Sequence, residues 1–373
     1  MFLQQLTLSN FKNYKEGNLT FSDKINCFVG DNGSGKTNIL DAIYYLSFCK
    51  SYFNAVDSQN IRHETDFFAV HGKYHNQENT DDKISCVQKR GKKKRFSFNK
   101  KDYKRLADHI GKIPLVMISP YDRDLINDGS EARRKYIDGV IAQFDKVYLN
   151  NLIDYNKVLL QRNTLLKSFY EQGYFDETAL EVWNEKMIVL GDQLFKTRIA
   201  FLTTFNPLFN EYYNLLSGGN ELVEIIYESQ MNLMPFADLL KQTLEKDRIL
   251  KYTTAGIHKD DLLFRMDGYP VKKFGSQGQQ KSFVIAIKLA QFEYTRRIRK
   301  FKPILLLDDI FDKLDDKRVH QIVNLVSENN FGQVFITDTQ KKRIADIFTQ
   351  INIDHKVFEV ESGTVKSETD KQY

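Results

Sequence analysis

The chain has 373 residues, 42% hydrophobic and 28% charged, with a formal net charge of +5. That is apolar material for more than one domain, and the mild positive balance permits a polyanionic partner without demanding one. No apolar run reaches the ~18 residues of a membrane span, MFLQQLTLSNFKNYKEG turns polar too soon for a secretory leader, and the three scattered cysteines Cys27, Cys49 and Cys86 form no disulfide framework, so a cytoplasmic protein without a membrane partner is expected.

In chain order, Leu6 and Leu8 alternate with polar residues as in a strand, and INCFVG (residues 25–30) is a short apolar run ending in glycine. GDNGSGKT follows, from Gly30 to Thr37, filling the pattern G-x-x-x-x-G-K-[ST]. A helix is predicted from about Thr37, with Ile39, Leu40, Ile43 and Leu46 on one face. Strand, loop and helix are the context this phosphate-binding motif needs. Gly30, Gly33 and Gly35 let the backbone come close to phosphates, and the N–H groups of Asp31, Asn32 and Ser34 with the helix N-terminus face the anion. Lys36 is expected to reach the β- and γ-phosphates of ATP, and the Thr37 hydroxyl to bind Mg²⁺.

Residues 67–117 again show strand patterning. Within them QKRGKKKRFSFNKKDYKR (88–105) gathers ten cations, Lys92, Lys93 and Lys94 among them. Two readings stand: a track for nucleic-acid phosphates, or the solvated face of a hairpin. His63, His71 and His75 lie close in sequence but have no metal-type partners.

After Pro120 the apolar positions recur at three-to-four spacing through residues 149–199, predicting two or more antiparallel helices, too short for an extended coiled coil. Residues 222–227 are strand-like and 235–250 helical. KSFVIAIKLAQFEYTRRIRK (281–300), at the end of FGSQGQQKS (274–282), is predicted as an amphipathic helix and ends in Arg296, Arg297, Arg299 and Lys300. ILLLDD (304–309) is a fully apolar strand ending in two carboxylates, at the strand end where α/β sheets bind ligands. Asp308 is expected to hold Mg²⁺, through water, and Asp309 to orient or deprotonate the attacking water. Residues 316–330 form a helix, QVFITDT a strand, and the polar end from Ser362 is expected to be disordered. About 270 residues separate Lys36 from Asp308, so a subdomain is inserted between them. The expected parts are an ATPase lobe over 1–120, a mainly helical insertion over 121–250, and the returning lobe with the polar tail over 251–373.

These motifs together resemble the ATP-binding-cassette (ABC) class of P-loop ATPases. The fold implied is α/β, an ABC-type head with mixed sheets and an inserted helical arm. In that class the core Ser-x-Gly-Gln, here Ser276, Gln277, Gly278 and Gln279, serves the ATP held by the opposite subunit. With one phosphate loop and one signature per chain, a homodimer closing two ATP sites follows. Leu314 and Asp315 resemble the loop that follows the acidic motif. Transporter ATPases usually carry Glu where Asp309 stands; the shorter acid predicts slow hydrolysis suited to a switch. Their switch histidine is absent, and Thr337, Asp338 and Thr339 occupy that region.

LTLSNFKNY, PYDRDLINDGSEARRKYID, AGIHKDDL and SQGQQKS narrow the resemblance to the RecF family, relatives of the chromosome-structuring (SMC) ATPases, over nearly the whole chain. The sequence departs from it at Ile257 and Lys259, and at SYFN (51–54), where the family often has Ser-Phe-Arg. The resemblance implies an ATP-dependent clamp on double-stranded and gapped DNA in recombinational repair and replication, working with RecR and RecO to load RecA. Arg133, Arg134, Arg296 and Arg297 join Lys92, Lys93 and Lys94 as candidate DNA contacts, without sequence-specific reading. The alternative is a nucleotide-binding subunit of another ABC-type assembly, chromosome-structuring or transport.

Overall fold

The computed structural model describes residues 1–76, 78–219, 221–311, 318, 321, 325, 331–341 and 354–371. The chain forms two compact units: Met1–Asp122 joined by Ile287–Tyr373, and Arg123–Ala286. The first unit begins with β1 (Phe2–Phe11), β2 (Tyr14–Thr20), β3 (Ile25–Val29), α1 (Lys36–Phe48), β4 (Phe67–His75), β5 (Asp81–Lys89), β6 (Arg95–Phe98), β7 (Lys101–Asp102) and β8 (Leu115–Ile118). The second holds α2 (Asp124–Asn127), α3 (Ser130–Ala142), α4 (Lys146–Gln172), α5 (Glu177–Ser217), β9 (Val223–Glu228), α6 (Phe236–Leu250), β10 (Asp261–Met266), β11 (Tyr269–Pro270) and α7 (Val271–Phe274). The boundary between the units falls within α8 (Gln277–Arg299), and β12 (Ile304–Leu307), β13 (Val334–Asp338), β14 (His355–Glu361) and β15 (Thr364–Lys371) complete the first unit.

Two sheets build the first unit. One is antiparallel, in the order β2-β1-β4-β5-β6-β7; the other runs β15-β14-β3-β13-β12-β8, parallel except at β15. β3, β8, β12 and β13 are buried at every position, as continuous apolar runs of a covered parallel sheet require. One core joins β1, α1 and the parallel strands. Phe28 stacks on Phe335 and Phe358 from its two neighbouring strands, which fixes β3 between them. Register then sets the levels: Asp338 pairs with Val29, and Leu307 with Ile336, so the phosphate loop and the acidic pair leave the sheet at one edge.

In the second unit α4 and α5 form a helical hairpin, turned at Gly173 and restarted by the Asp176 side chain accepting the Ala179 N–H. The expected lobe boundary at 250 falls elsewhere. β9 and β10 pair over their full lengths, and this long-range ladder places residues 251–286, the signature included, in the unit of the helices. The polar end is ordered too: Thr364–Lys371 pairs antiparallel with β14 as an edge strand, where alternating polar residues are suited to solvent. The helix expected at 316–330, and Leu314 and Asp315, lie outside the described residues. Among those described, no helix is long and apolar enough to cross a membrane.

Candidate nucleotide-binding site

The loop from Gly30 to Gly35 links the end of β3 to the start of α1. Gly30 has φ 154°, and a Cβ there would collide with the Val360 carbonyl oxygen; Gly35 has φ 116°, with Asn13 Nδ2 2.5 Å from any added Cβ. Both positions therefore exclude side chains. Asn13, in the β1–β2 turn, clamps the loop by donating to the Ser34 carbonyl (3.1 Å) and accepting from Asn38 Nδ2 (2.8 Å). The Gly363 N–H also donates to that carbonyl, at 2.7 Å. Asp31, Asn32 and Gly33 are exposed, whereas Ser34 is buried and its Oγ has no hydrogen-bond partner. A buried hydroxyl left unpaired in this glycine-rich loop fits a loop built to receive an anion.

Lys36 is 4% exposed, and its Nζ donates to the carbonyls of Gly30 (2.7 Å) and Asp31 (2.9 Å). Among the described residues no carboxylate pairs with it. The Thr37 hydroxyl donates to Asp308 Oδ1 at 2.8 Å, joining residues 271 positions apart. Asp308 is 3% exposed, and burial above all pushes its carboxyl up from 3.8 to about 6. Hydrogen bonds from Thr37 and Thr337 oppose that rise, and neighbouring Asp309 adds to it. Two oxygens and no nitrogen or sulfur make a donor pair suited to a hard divalent cation. Asp309 stands next in the left-handed region, φ 45°, its N–H donating to Thr337 Oγ1 at 2.9 Å. Asn13 was not legible as a site residue, because it acts from a neighbouring turn rather than within a motif; Thr337 was legible only as one of three candidates with Asp338 and Thr339.

The signature lies in the second unit, at the start of α8. Ser276 and Gln279 close a reciprocal cap: the Gln279 N–H donates to Ser276 Oγ (3.2 Å) and the Ser276 N–H to Gln279 Oε1 (2.7 Å). Gln279 Nε2 also donates to Glu221 Oε1 at 2.6 Å. Gln279 is thus fixed from both ends of its amide, while Ser276 and Gln277 stay exposed and Gly278 is half-buried.

The candidate DNA contacts separate by their surroundings. Lys92 and Lys93 are exposed in the β5–β6 turn. Lys94 turns inward instead, to Asp57 Oδ2 (2.7 Å), the Cys49 carbonyl (2.6 Å) and the Tyr45 hydroxyl (2.9 Å). Arg133 pairs with both oxygens of Asp261 (2.7 and 2.9 Å), and Arg134 donates to the Asp260 carbonyl at 2.6 Å. Arg296 and Arg297 share Glu293 on their own helix, yet remain exposed enough to meet solvent. At the SYFN departure Asn54 donates to Asn60 Oδ1 at 2.9 Å, while Ser51 Oγ (2.6 Å) and the Tyr52 N–H (2.7 Å) both donate to Asp41.

A glycine loop after one strand, an acidic pair after another, and a single strand between them define an ABC-type P-loop ATPase head. The family model "RecF/RecN/SMC N terminal domain" matches residues 2–365. A Bacteroides fragilis protein named "DNA replication and repair protein RecF" is 49% identical over 372 residues, covering 100% of both chains. The solved structure of the recombination mediator protein RecF with ATP, in the RecFOR pathway, superposes with a TM-score of 0.89 at 29% identity, over 99% of this chain and 97% of that one. A Pyrococcus furiosus Smc head with an extended coiled coil shares the fold at a TM-score of 0.60 and 18% identity, over 100% and 96% of the two chains. The chain belongs to the RecF family.

Proposed function

We propose that the chain is an ATP-driven, DNA-binding clamp acting in DNA replication and recombinational repair. The observation that carries this reading is the 2.8 Å hydrogen bond from the Thr37 hydroxyl to Asp308, which brings the phosphate loop and the acidic strand end together. The relative solved with ATP supports the nucleotide. Lys36 lets go of its loop carbonyls to meet the β- and γ-phosphates, and Thr37 and Asp308 hold Mg²⁺, which supplies charge neutralisation at the phosphates when bound. Asp309 orients the water, and its short reach makes turnover slow.

Ser276, Gln277, Gly278 and Gln279 act on the ATP of a second copy, so nucleotide favours the closed homodimer and hydrolysis reopens it. The closed dimer holds double-stranded and gapped DNA through phosphates, with Lys92 and Lys93 among its contacts. RecO and RecR are its partners, as the RecFOR naming of the relative suggests, with RecA loading downstream and the cytoplasm as its place of action. The test is light scattering on gel filtration, with and without ATP and Mg²⁺, on the wild type and on Lys36→Met, Ser276→Arg and Asp309→Asn, repeated with gapped duplex DNA. The expected result is an ATP-dependent dimer that alone retains DNA, accumulated by Asp309→Asn and lost in the other two. A mass unmoved by ATP, with equal DNA binding in its absence, would favour a subunit that needs a different ABC partner.

A further inference from the structure

Thr337, Asp338 and Thr339 stand where a switch histidine is missing, and their geometry separates them. Thr339 is exposed beyond the end of β13. Asp338 turns to its own loop, accepting the Gln340 N–H at 2.6 Å. Thr337 is fully buried at the end of β13, between the strand that feeds the phosphate loop and the strand that feeds the acidic pair. Its Oγ1 accepts the Asp309 N–H at 2.9 Å and lies 2.9 Å from Asp308 Oδ1 and 3.5 Å from Asp309 Oδ1.

We infer that Thr337 is the positioning residue of the hydrolytic site, holding Asp309 in its working conformation and tying it to Asp308. The hydroxyl has one proton and two lone pairs. Its proton goes to Asp308, and one lone pair receives the Asp309 N–H. Asp309 sits at φ 45°, in the left-handed region that most residues with a side chain avoid and that aspartate enters more readily than most. The hydrogen bond from the Asp309 N–H to Thr337 Oγ1 holds that backbone in place. A single side chain on the intervening strand thus fixes both acids, one at its carboxylate and the other at its backbone. The Asp309 carboxylate, 3.5 Å away, is the second acceptor within reach of the same proton once Asp308 is engaged elsewhere. This assignment rests on the ATPase reading for its kinetic consequence, but not for its structural one.

The experiment compares Thr337→Val, which keeps the shape and removes the hydroxyl, with Thr337→Ser, which keeps the hydroxyl. Two readouts are taken: amide hydrogen exchange over residues 304–311 without nucleotide, and steady-state ATP hydrolysis with ATP binding measured separately. Thermal unfolding confirms that each variant is folded. In Thr337→Val the Asp309 amide is expected to lose protection, and kcat to fall about tenfold, the effect of one removed hydrogen bond. ATP affinity and ATP-driven dimerisation stay within about threefold of wild type, since the phosphate loop is untouched. Thr337→Ser is expected to restore both protection and turnover. Unchanged exchange at Asp309 in Thr337→Val overturns the inference, as does a serine variant as impaired as the valine one. If the wild type neither binds nor hydrolyses ATP while the exchange contrast holds, the ATPase reading fails and the positioning of Asp309 stands.

Discussion

Two buried groups of charge, one in each unit, are built on opposite terms. In the second unit Arg198 from α5 is 1% exposed and bonded on every side. Its Nη2 donates to Asp138 at 2.8 and 3.1 Å, its Nη1 to Asp260 Oδ2 at 3.2 Å and the Ile257 carbonyl at 3.0 Å, and its Nε lies 3.0 Å from the Tyr148 hydroxyl. Tyr148 in turn bonds Asp138, and Tyr227 bonds Asp260. Burial works against the guanidinium charge, yet Asp138, Tyr148 and Tyr227 hold its pKa well above the usual range. In the first unit Lys36 leans on two carbonyls, Ser34 Oγ is unpaired, and Asp308 sits beside a second acid. The first group is complete in itself and works as a strut. The second is incomplete in a way that a polyphosphate and a divalent cation would complete, and such local inconsistency marks functional sites.

The largest effect that tests this contrast is on stability. Arg198→Ala would leave Asp138 and Asp260 without their cation in a dry setting, and is expected to destabilise by about 3–5 kcal/mol. Chemical denaturation of the nucleotide-free protein measures it. A loss below 1 kcal/mol would mean that the Arg198 group is not the strut described.

Asp308 carries the opposite expectation. Its carboxyl is raised from 3.8 to about 6, so in the folded state the charged form is disfavoured. Below pH 4 both states are protonated and nothing is lost. Between 4 and 6 the unfolded chain ionises first, so stability falls as pH rises, and the penalty is constant above 6. A rise from 3.8 to about 6 corresponds to about 2–3 kcal/mol. Asp308→Asn is therefore expected to raise the stability of the nucleotide-free, Mg²⁺-free protein by about 1–2 kcal/mol at pH 7.5, with the gap closing towards pH 4. Thermal unfolding across that range checks it, and a destabilised Asn variant at pH 7.5 would show that the carboxylate is better accommodated than its burial implies.

The two regions also differ in how much of them the sequence disclosed. The glycine loop and ILLLDD were legible because their chemistry is local: a closely wrapped backbone needs consecutive glycines, and a covered central strand needs an unbroken apolar run. The helical hairpin was legible through its period. The Arg198 group was not, since its partners come from α3, α4, β9 and the segment before β10, and no window of sequence holds them together. The same long-range pairing of β9 with β10 displaced the lobe boundary from 250 to 286. The ordering of Thr364–Lys371 was hidden for a related reason. Its polar alternation matches a tail until β14 is found beside it. Thr337 was visible as a candidate but could not be told from its neighbours without the register of β13 against β12.

The smallest effect brings the same distinction to one hairpin turn. Lys92, Lys93 and Lys94 are adjacent and identical in type, and sequence alone treats them alike. Lys94 is 9% exposed at its side chain and caps the end of α1, where a cation meets the last carbonyls and Asp57. Lys94→Gln is expected to cost about 1–2 kcal/mol in stability, because it leaves the Cys49 carbonyl and Asp57 with a weaker partner. Lys92→Gln with Lys93→Gln should change stability by no more than about 0.5 kcal/mol. DNA binding should reverse the order. Each phosphate contact removed lowers the slope of log affinity against log salt by about 0.9, so the double variant should lose about one to two units of slope and Lys94→Gln none. Titration of duplex DNA across a range of salt concentrations, with ATP and Mg²⁺ present, resolves this. A reduced slope in Lys94→Gln, with none in the double variant, would place the DNA contact on the inward lysine and erase the division between strut and receptor at this turn.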